Sequence, residues 1–338
     1  MKGLMNRRSL VLAAASVLYY STTIALAGTA DPSLAGSVDR ARRATVGVLS
    51  IGQGAPGLPG PSQLIARGSG FHVKDGYIVT ARHVVEREEG AQNVVAKEIT
   101  VLTSDLEELP ASLIGASSYV DVAVYRITGA GAASLAPAAF AEKEPEPGDE
   151  VFMVGFPLGW GPAIGFGRIG NPNTFLPTVN TRLMQLDASA CAGNSGGGLF
   201  NPRGEVVGIV HAIIHTDGTQ EDRRCSQFAF AIPVTLANRI VTALMQGSQP
   251  VFSRLGIQLT AVKVGTKWQA SVLEAIGPAH DGGIRRGDIL LAIDDTPITD
   301  AAQLKNYLIE RTVPGQKVAV RVLRGQTEHV LTVTLGKS

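Results

Sequence analysis

Residues Asp187–Asn201 read DASACAGNSGGGLFN, a glycine-rich stretch with Ser195 at its centre. A serine hydroxyl is a weak nucleophile, so a reactive one needs a neighbouring base and hydrogen-bond donors for the oxyanion that forms. The flanking glycines let the backbone turn tightly and let a substrate carbonyl approach main-chain N–H groups, of which those of Gly193 and Ser195 are the candidates. Because Asn, Gly and Ser also dominate ordinary turns, the stretch alone fits a structural turn equally well.

Two further residues are placed where partners of Ser195 are needed. His83 follows the strand-like segment YIVT (77–80), so its ring can project from a strand end into a cleft as a general base. Asp121 precedes the apolar segment VAVYRI (122–127), where a carboxylate must be paired to offset its burial. Each residue alone is more typical of a structural position. Together, in the order His, Asp, Ser at three strand-to-loop junctions, they predict a nucleophilic triad.

Length and composition restrict the fold. At 338 residues the chain is longer than one core usually supports, which predicts two domains. Hydrophobic residues make up 45% and charged residues 17%, with 39 glycines and 18 prolines, which indicates a globular, loop-rich and mainly β protein. The net charge is +1, or −2 without residues 1–27, so no nucleic-acid partner is expected.

Short apolar segments separated by turn residues follow one another as far as a helical pattern over Val234–Met245. This succession of short strands favours a β-barrel or sandwich. A second unit of strands follows, with a helix after Asp300 that has Gln303 in a capping-box position. A short capped helix is expected over Ser37–Arg43, after a mobile segment. The predicted organisation is a signal peptide (1–27), an N-terminal arm (28–43), a first domain (44–245), a linker (246–250) and a second domain (251–338).

The N-terminus has the three parts of an export signal, namely basic residues at 2, 7 and 8, an apolar run over 10–18 and a small-x-small site at 25–27. The paired arginines also fit a twin-arginine signal. An uncleaved inner-membrane anchor is the alternative, because Ser9–Ala30 contains 22 uncharged residues and about 20 span a bilayer. Either way, an exported or periplasmic protein is expected.

The chain has two cysteines, Cys191 and Cys225. A pair of cysteines in an exported chain suggests a disulfide, and two unpaired buried thiols are the alternative.

Several segments resemble the HtrA (DegP-type) branch of the trypsin-like serine proteases and the PDZ domain of that family. The resemblance covers most of the chain after residue 37 and implies a mainly β fold, with two packed six-stranded antiparallel barrels followed by one small α+β PDZ domain. The segments are GSGFHVKDGYIVTARHVV (68–85), DVAVYRI (121–127), GNSGGGLFNPRGEVVGI (193–209), FAIP (230–233), LGIQL (255–259) and GPAHDGGIRRGDILLAIDDTPI (277–298).

By this resemblance His83 is the general base and acid, Asp121 orients and stabilises its imidazolium, and Ser195 is the nucleophile. The N–H groups of Gly193 and Ser195 form the oxyanion hole. The resemblance implies an ATP-independent serine endopeptidase that cleaves unfolded or damaged proteins of the cell envelope. No cofactor and no metal are expected, because no cluster of His, Cys or carboxylates has ligand spacing along the sequence.

The residues before the nucleophile depart from the family pattern. HtrA-like proteins usually have Asn-Pro before Gly-Asn-Ser, whereas this chain has Cys191-Ala192. A cysteine at this place is similar to digestive trypsin-like enzymes, in which it pairs across the primary specificity pocket. The resemblance therefore implies a Cys191–Cys225 disulfide that staples the pocket and holds the catalytic loop rigidly.

Ser189 falls where trypsin-like enzymes place the floor of that pocket. It is uncharged, so small or medium apolar residues are expected before the scissile bond. Acidic residues on the neighbouring loop, Asp217, Glu221 and Asp222, would alter this preference if they entered the pocket.

PDZ domains bind a peptide C-terminus as an added strand and hold its carboxylate with backbone N–H groups. By resemblance the carboxylate loop is Arg254-Leu255-Gly256-Ile257, and the helix after Asp300 forms the opposite wall. The alternative is a domain that acts only as a spacer. HtrA-type trimers use aromatic residues of an N-terminal arm, and the arm of this chain has none, which argues against a trimer assembled by that route.

Two other functions remain open at this point. One is a protein-binding chaperone or scaffold that has the protease fold but cuts little. The presence of all three triad residues argues against it. The other is a membrane-anchored sensor protease with one dedicated substrate, which an uncleaved N-terminus would favour.

Overall fold

A computed structural model describes residues 33–51, 64–89, 92–157, 161–176, 179, 181–213 and 225–338. The predicted signal peptide or anchor and the start of the arm lie outside these residues, as do Asp217, Glu221 and Asp222. Pro32–Ser338 form one compact unit. Within the described ranges, no helix has the length and apolar character needed to cross a membrane.

Helix α1 (Leu34–Ala44) precedes the first barrel. It is longer than the predicted Ser37–Arg43 because Ser33 is the N-cap, its hydroxyl accepting a hydrogen bond from the N–H of Gly36 at 3.1 Å. The segment before Ser37, expected to be mobile, is therefore helical from Leu34 onward. Ser37 is fully buried within the helix and does not cap it.

The first barrel is a closed antiparallel sheet of six strands in the order β1-β2-β3-β8-β7-β6. Residues such as Val46, Ile78 and Tyr125 fill its interior. A one-turn 3₁₀ helix (Arg82–Val85) and the hairpin of β4 and β5 follow β3. The strands are β1 (Thr45–Ile51), β2 (Leu64–His72), β3 (Tyr77–Ala81), β4 (Glu86–Glu89), β5 (Gln92–Val95), β6 (Glu98–Leu102), β7 (Glu108–Ser117) and β8 (Val122–Ile127). A further 3₁₀ turn covers Ala130–Ser134.

The second barrel is also closed, antiparallel and six-stranded, in the order β10-β11-β14-β13-β12-β9. Met153, Met184 and Leu199 pack in its interior. The strands are β9 (Glu150–Gly155), β10 (Ala163–Thr174), β11 (Leu183–Cys191), β12 (Gly198–Phe200), β13 (Val206–Ile213) and β14 (Cys225–Pro233). The predicted mainly β fold with two six-stranded barrels is thereby confirmed.

A separate apolar cluster packs the two barrels against each other. Phe71 and Val122 enter it from the first barrel, Phe152 and Phe200 from the second, and helix α2 (Val234–Met245) adds its buried face. Because interiors of this kind are close-packed, the cluster fixes where the strand ends of one barrel lie relative to those of the other. That placement defines the candidate site.

The second domain contains a six-stranded sheet with β16-β17-β18-β20-β21 in order and β19 paired with β18, while β15 pairs with β22. Its strands are β15 (Ser253–Arg254), β16 (Ile257–Val264), β17 (Lys267–Ala275), β18 (Ile289–Ile293), β19 (Thr296–Pro297), β20 (Lys317–Arg324), β21 (Thr327–Thr334) and β22 (Gly336–Lys337). Its helices are α3 (Pro278–Asp281) and α4 (Ala301–Arg311). Asp300 caps α4 by accepting from the N–H of Gln303 at 2.8 Å, as predicted.

A buried ion cluster joins the two domains. The guanidinium of Arg182, whose side chain is 6% exposed, lies 2.8 Å from Glu144 of the first domain and 2.9 Å from Glu310 of α4. Burial works to lower the pKa of Arg182, but the hydrogen bonds from both carboxylates outweigh it and the pKa is raised. Arg182 therefore stays charged and ties α4 to the protease-like domain.

Candidate active site

His83 and Asp121 are adjacent because the strands that carry them are paired. Ala81 at the end of β3 pairs with Val122 at the start of β8, so His83, two residues after β3, meets Asp121, the residue just before β8. His83 Nδ1 lies 2.7 Å from Oδ2 of Asp121, and the backbone N–H of His83 donates to Oδ1 at 2.9 Å. Asp121 therefore fixes both the ring and the backbone of His83, with the Nδ1 proton facing the carboxylate.

Asp121 has an unusual backbone conformation and a lowered side-chain pKa. Its φ is +48°, a conformation that is uncommon outside glycine and that occurs at functional sites. Burial works to raise the pKa of the carboxyl group, but the hydrogen bond and charge of His83 and the charge of His211 outweigh it. The pKa of Asp121 is therefore lowered, and the carboxylate is ionised around neutral pH.

The loop that carries Ser195 is packed tightly against the first barrel. Gly196 has a φ of +85°, and a Cβ at this position would lie 2.2 Å from the carbonyl oxygen of Ser69. The hydroxyl of Ser69 donates to the carbonyl of Gly193 at 2.6 Å and accepts from the N–H of Phe156 at 2.8 Å. The N–H of Ser69 also donates to the carbonyl of Ser195 at 2.8 Å. A single buried serine thus fixes two carbonyls of the nucleophile loop.

The two predicted oxyanion donors, the N–H groups of Gly193 and Ser195, donate to no protein acceptor among the described residues. The Ser195 hydroxyl donates to the carbonyl oxygen of His211 at 3.2 Å, and within the described part of the chain no hydrogen bond joins it to His83. The structure thus brings His83 and Asp121 together and places Ser195 beside His211.

His211, on β13, is a fourth residue of the site. Its Nε2 lies 3.6 Å from Oδ2 of Asp121, and its ring stacks on that of His83 with centroids 5.6 Å apart. Burial, the largest influence, lowers the pKa of His211, while the charge of Asp121 acts in the opposite direction. The ring is therefore predominantly neutral around pH 7. Because His211 and Asp121 are 90 positions apart on strands of different barrels, sequence spacing does not bring them together.

Family comparisons match both domains. Residues 68–209 match the trypsin-like peptidase domain, and residues 253–335 match the PDZ domain. The chain is 32% identical over 296 residues to a "Probable periplasmic serine endoprotease DegP-like" of Ectopseudomonas mendocina, covering 83% of this chain and 59% of that protein. It is 30% identical over 307 residues to the "Putative serine protease HhoA" of Synechocystis, covering 84% of this chain and 74% of that protein. The chain belongs to the HtrA (DegP-like) family of trypsin-like serine proteases.

Solved HtrA structures agree in fold. The "HtrA-type protease AlgW with decapeptide" superposes with a TM-score of 0.68 at 26% identity, covering 90% of this chain and 99% of that one. The serine endoprotease from Yersinia pestis superposes with a TM-score of 0.62 at 26% identity, covering 92% and 100%. The chain spans 59% and 55% of the length of the first two DegP-like relatives.

This HtrA chain carries the disulfide between Cys191 and Cys225. Cys191 ends β11 and pairs in register with Cys225. Cys225 is the first residue of β14. Ser189 is exposed on β11, and residues 214–224, which include the three acidic residues near the predicted pocket, lie outside the described residues.

The four residues predicted for the peptide carboxylate line one groove of about 510 Å³ between β16 and α4 of the PDZ domain. Gly256, with a φ of +83°, makes the tight turn of this loop, and its carbonyl accepts from the N–H of Ile276 at 2.8 Å. Leu304 and Leu308 of α4 form the opposite wall, as expected. The HtrA protease domain also reaches this groove, because Tyr119 lines it two residues before Asp121.

Proposed function

We propose that this protein is an exported, ATP-independent serine endopeptidase that cleaves unfolded or damaged proteins of the cell envelope. The observation that carries the proposal is the His83–Asp121 hydrogen-bonded pair at the junction of the barrels, beside the loop of Ser195 with its two N–H groups that have no acceptor in the described ranges. Export is supported by the N-terminal signal pattern and by relatives whose names describe them as periplasmic.

In the proposed reaction each group has one step. Ser195 Oγ attacks the peptide carbonyl while His83 Nε2 takes its proton, and the N–H groups of Gly193 and Ser195 hold the oxyanion. Asp121 accepts a hydrogen bond from the Nδ1–H of His83, which keeps the Nε2 lone pair toward the reaction and stabilises the imidazolium. His83 then gives the proton to the leaving amine, and water hydrolyses the acyl-enzyme by the reverse sequence.

The resting position of Ser195 requires one movement. Its hydroxyl must leave the carbonyl of His211 and move toward His83 before it can react. Hydrogen bonds of catalytic groups are often formed only in the substrate complex. The same resting position favours the alternative of a binding protein that cuts little, and activity measurements separate the two.

The PDZ groove supplies the proposed regulation by peptide C-termini. Tyr119 contacts the groove and precedes Asp121 by two residues, so a bound peptide touches the segment that positions the catalytic carboxylate. The ring of Tyr119 also stacks on Phe252, with centroids 4.6 Å apart, and Nζ of Lys305 in α4 lies 5.8 Å from the centroid of the Tyr119 ring. This packing supports the proposed coupling between a bound peptide and the segment that carries Asp121.

The proposal is tested by incubating the exported form with unfolded casein and, separately, with a folded protein of similar size. The expected result is casein cleavage with no added nucleotide or metal, no cleavage of the folded protein, and faster cleavage with a peptide whose C-terminus is free. The same peptide with an amidated C-terminus is the control. Binding of casein without cleavage, with or without peptide, would support the chaperone alternative instead.

A further inference from the structure

His211 is a second histidine at the triad that the proposed reaction does not use. It enters the site from β13 of the second barrel, while His83 and Asp121 belong to the first. One ligand atom from each of these three residues lies within 4.8 Å of the other two. Three potential metal ligands thus converge from three separate elements of the fold.

The donor set suits a particular class of cation. Two imidazole nitrogens and one carboxylate are a recurrent ligand set for Zn²⁺, with a fourth position left to water. Imidazole suits zinc and neighbouring transition metals, whereas Mg²⁺ and Ca²⁺ prefer oxygen ligands. The three side chains therefore select for a divalent transition metal ion.

The distances from Asp121 to the two histidines lie on either side of the value that such an ion needs. A tetrahedral ion with bonds of about 2.0–2.1 Å holds its ligand atoms about 3.3–3.4 Å apart. His211 Nε2 and Asp121 Oδ2 are 3.6 Å apart, whereas His83 Nδ1 and Asp121 Oδ2 are 2.7 Å apart and must separate slightly. The His83 side chain is 41% exposed, so its ring has room for that shift.

The environment of His211 leaves its tautomer open. Its Nδ1 is buried and has no hydrogen-bond partner among the described residues. The position of a histidine proton is normally fixed by the partner of the other ring nitrogen. Without such a partner, moving the proton to Nδ1 breaks no protein hydrogen bond and frees the Nε2 lone pair that faces Asp121.

We propose that His83, Asp121 and His211 form an inhibitory site for a divalent transition metal ion, with Zn²⁺ the best fit. The ion replaces the proton between His83 Nδ1 and Asp121, and the neutral ring then carries its proton on Nε2. That nitrogen has no lone pair left to accept the proton of Ser195, so the bound form is inactive until a chelator removes the ion. The proposal has two halves. The inhibitory half, that the bound ion blocks the reaction, rests on the proposed protease function. The binding half, that the three residues bind the ion, does not.

The binding half is tested with metal-free, tag-free exported protein carrying Ser195→Ala, titrated with Zn²⁺ by calorimetry and with Co²⁺ by visible absorption. We expect one equivalent to bind and the cobalt spectrum to be tetrahedral. Adding His211→Asn or His83→Asn should weaken binding at least about tenfold. His83→Asn changes the more exposed of the two rings. Weaker binding by this variant therefore does not depend on a folding defect caused by replacing His211.

His280→Asn, which removes an exposed histidine of the PDZ domain, is the matched control and should bind like the parent. Equal affinity of all four proteins, or no saturable binding by the parent, would overturn the site.

The inhibitory half is tested by labelling the wild type with a fluorophosphonate, with Zn²⁺ and then with a chelator. Zinc should block labelling, the chelator should restore it, and the same zinc concentration should change the labelling of His211→Asn much less. Equal inhibition of both proteins would overturn the proposal. A wild type that is not labelled without zinc would contradict the protease function, and the calorimetric comparison would then decide the metal site alone.

Discussion

The hydroxyl of Ser195 donates a hydrogen bond of 3.2 Å to the carbonyl oxygen of His211, while His83 is held by Asp121 at 2.7 Å. His83 and Asp121, the proposed base and its partner, are therefore already paired, whereas the hydroxyl of Ser195 is bonded to His211. Within the described part of the chain, the N–H groups of Gly193 and Ser195, the proposed oxyanion donors, donate to no protein acceptor.

Ser69→Ala should slow the reaction of Ser195 without unfolding the protein. The variant loses the hydroxyl that links the carbonyl of Gly193 to the N–H of Phe156. Small displacements of catalytic groups are costly, so we expect the fluorophosphonate labelling rate to fall about ten- to a hundredfold. Ser134→Ala, which changes an exposed serine, should label at the wild-type rate. Equal rates for the two variants would show that Ser69 does not position the loop.

Removal of the Cys191–Cys225 disulfide should destabilise the protein and loosen the nucleophile loop. Cys191 lies four residues before Ser195, and the bond closes a loop with a sequence separation of 34. Replacing both cysteines with serine should lower the free energy of unfolding by about 2–4 kcal/mol in urea titrations. Intact mass after alkylation checks the bond itself. Two alkylated thiols in the unreduced periplasmic protein would contradict the assignment.

Gly256→Ala should abolish peptide recognition by the PDZ domain. At a φ of +83° an added Cβ would lie 2.2 Å from the carbonyl oxygen of Ile276, so the carboxylate loop must change shape. We expect the affinity for a fluorescent peptide with a free C-terminus, measured by anisotropy, to fall at least about tenfold. The control is Gly265→Ala, a positive-φ glycine with no atom within 4 Å of its would-be Cβ. Similar affinities in both variants would place the carboxylate elsewhere.

Arg182→Met should destabilise the contact between the two domains. The variant leaves the carboxylates of Glu144 and Glu310 facing each other without their shared cation. Breaking a buried ion pair in this way costs about 3–5 kcal/mol. Glu310→Gln, which leaves Arg182 paired with Glu144, should cost clearly less in the same denaturant titration. The opposite ranking would mean that the cluster does not stabilise the fold through Arg182.

The parts of the site that the sequence predicts are those encoded locally. His83 and Asp121 each adjoin an apolar strand, and the helix cap at Asp300 lies three residues from its partner. The pairing of β3 with β8 then brings the first two together, which strand alternation alone does not specify.

The remaining parts depend on how distant strands close into barrels. Ser69, Tyr119 and His211 look like ordinary strand or loop residues in the sequence, and only the packing of the two barrels and the PDZ domain gives them their contacts. The helix start at Leu34 was missed for a local reason, because Ser33 and Ser37 are equally good caps by residue type.

The most direct measurement of the central claim is fluorophosphonate labelling of the purified periplasmic form, beside Ser195→Ala, with casein turnover followed in parallel. Ser134→Ala, which changes an exposed serine outside the candidate site, is the control. The account predicts labelling and casein cleavage by the wild type and by Ser134→Ala, and neither by Ser195→Ala. Absence of labelling in the wild type, even with a C-terminal peptide bound, would contradict it.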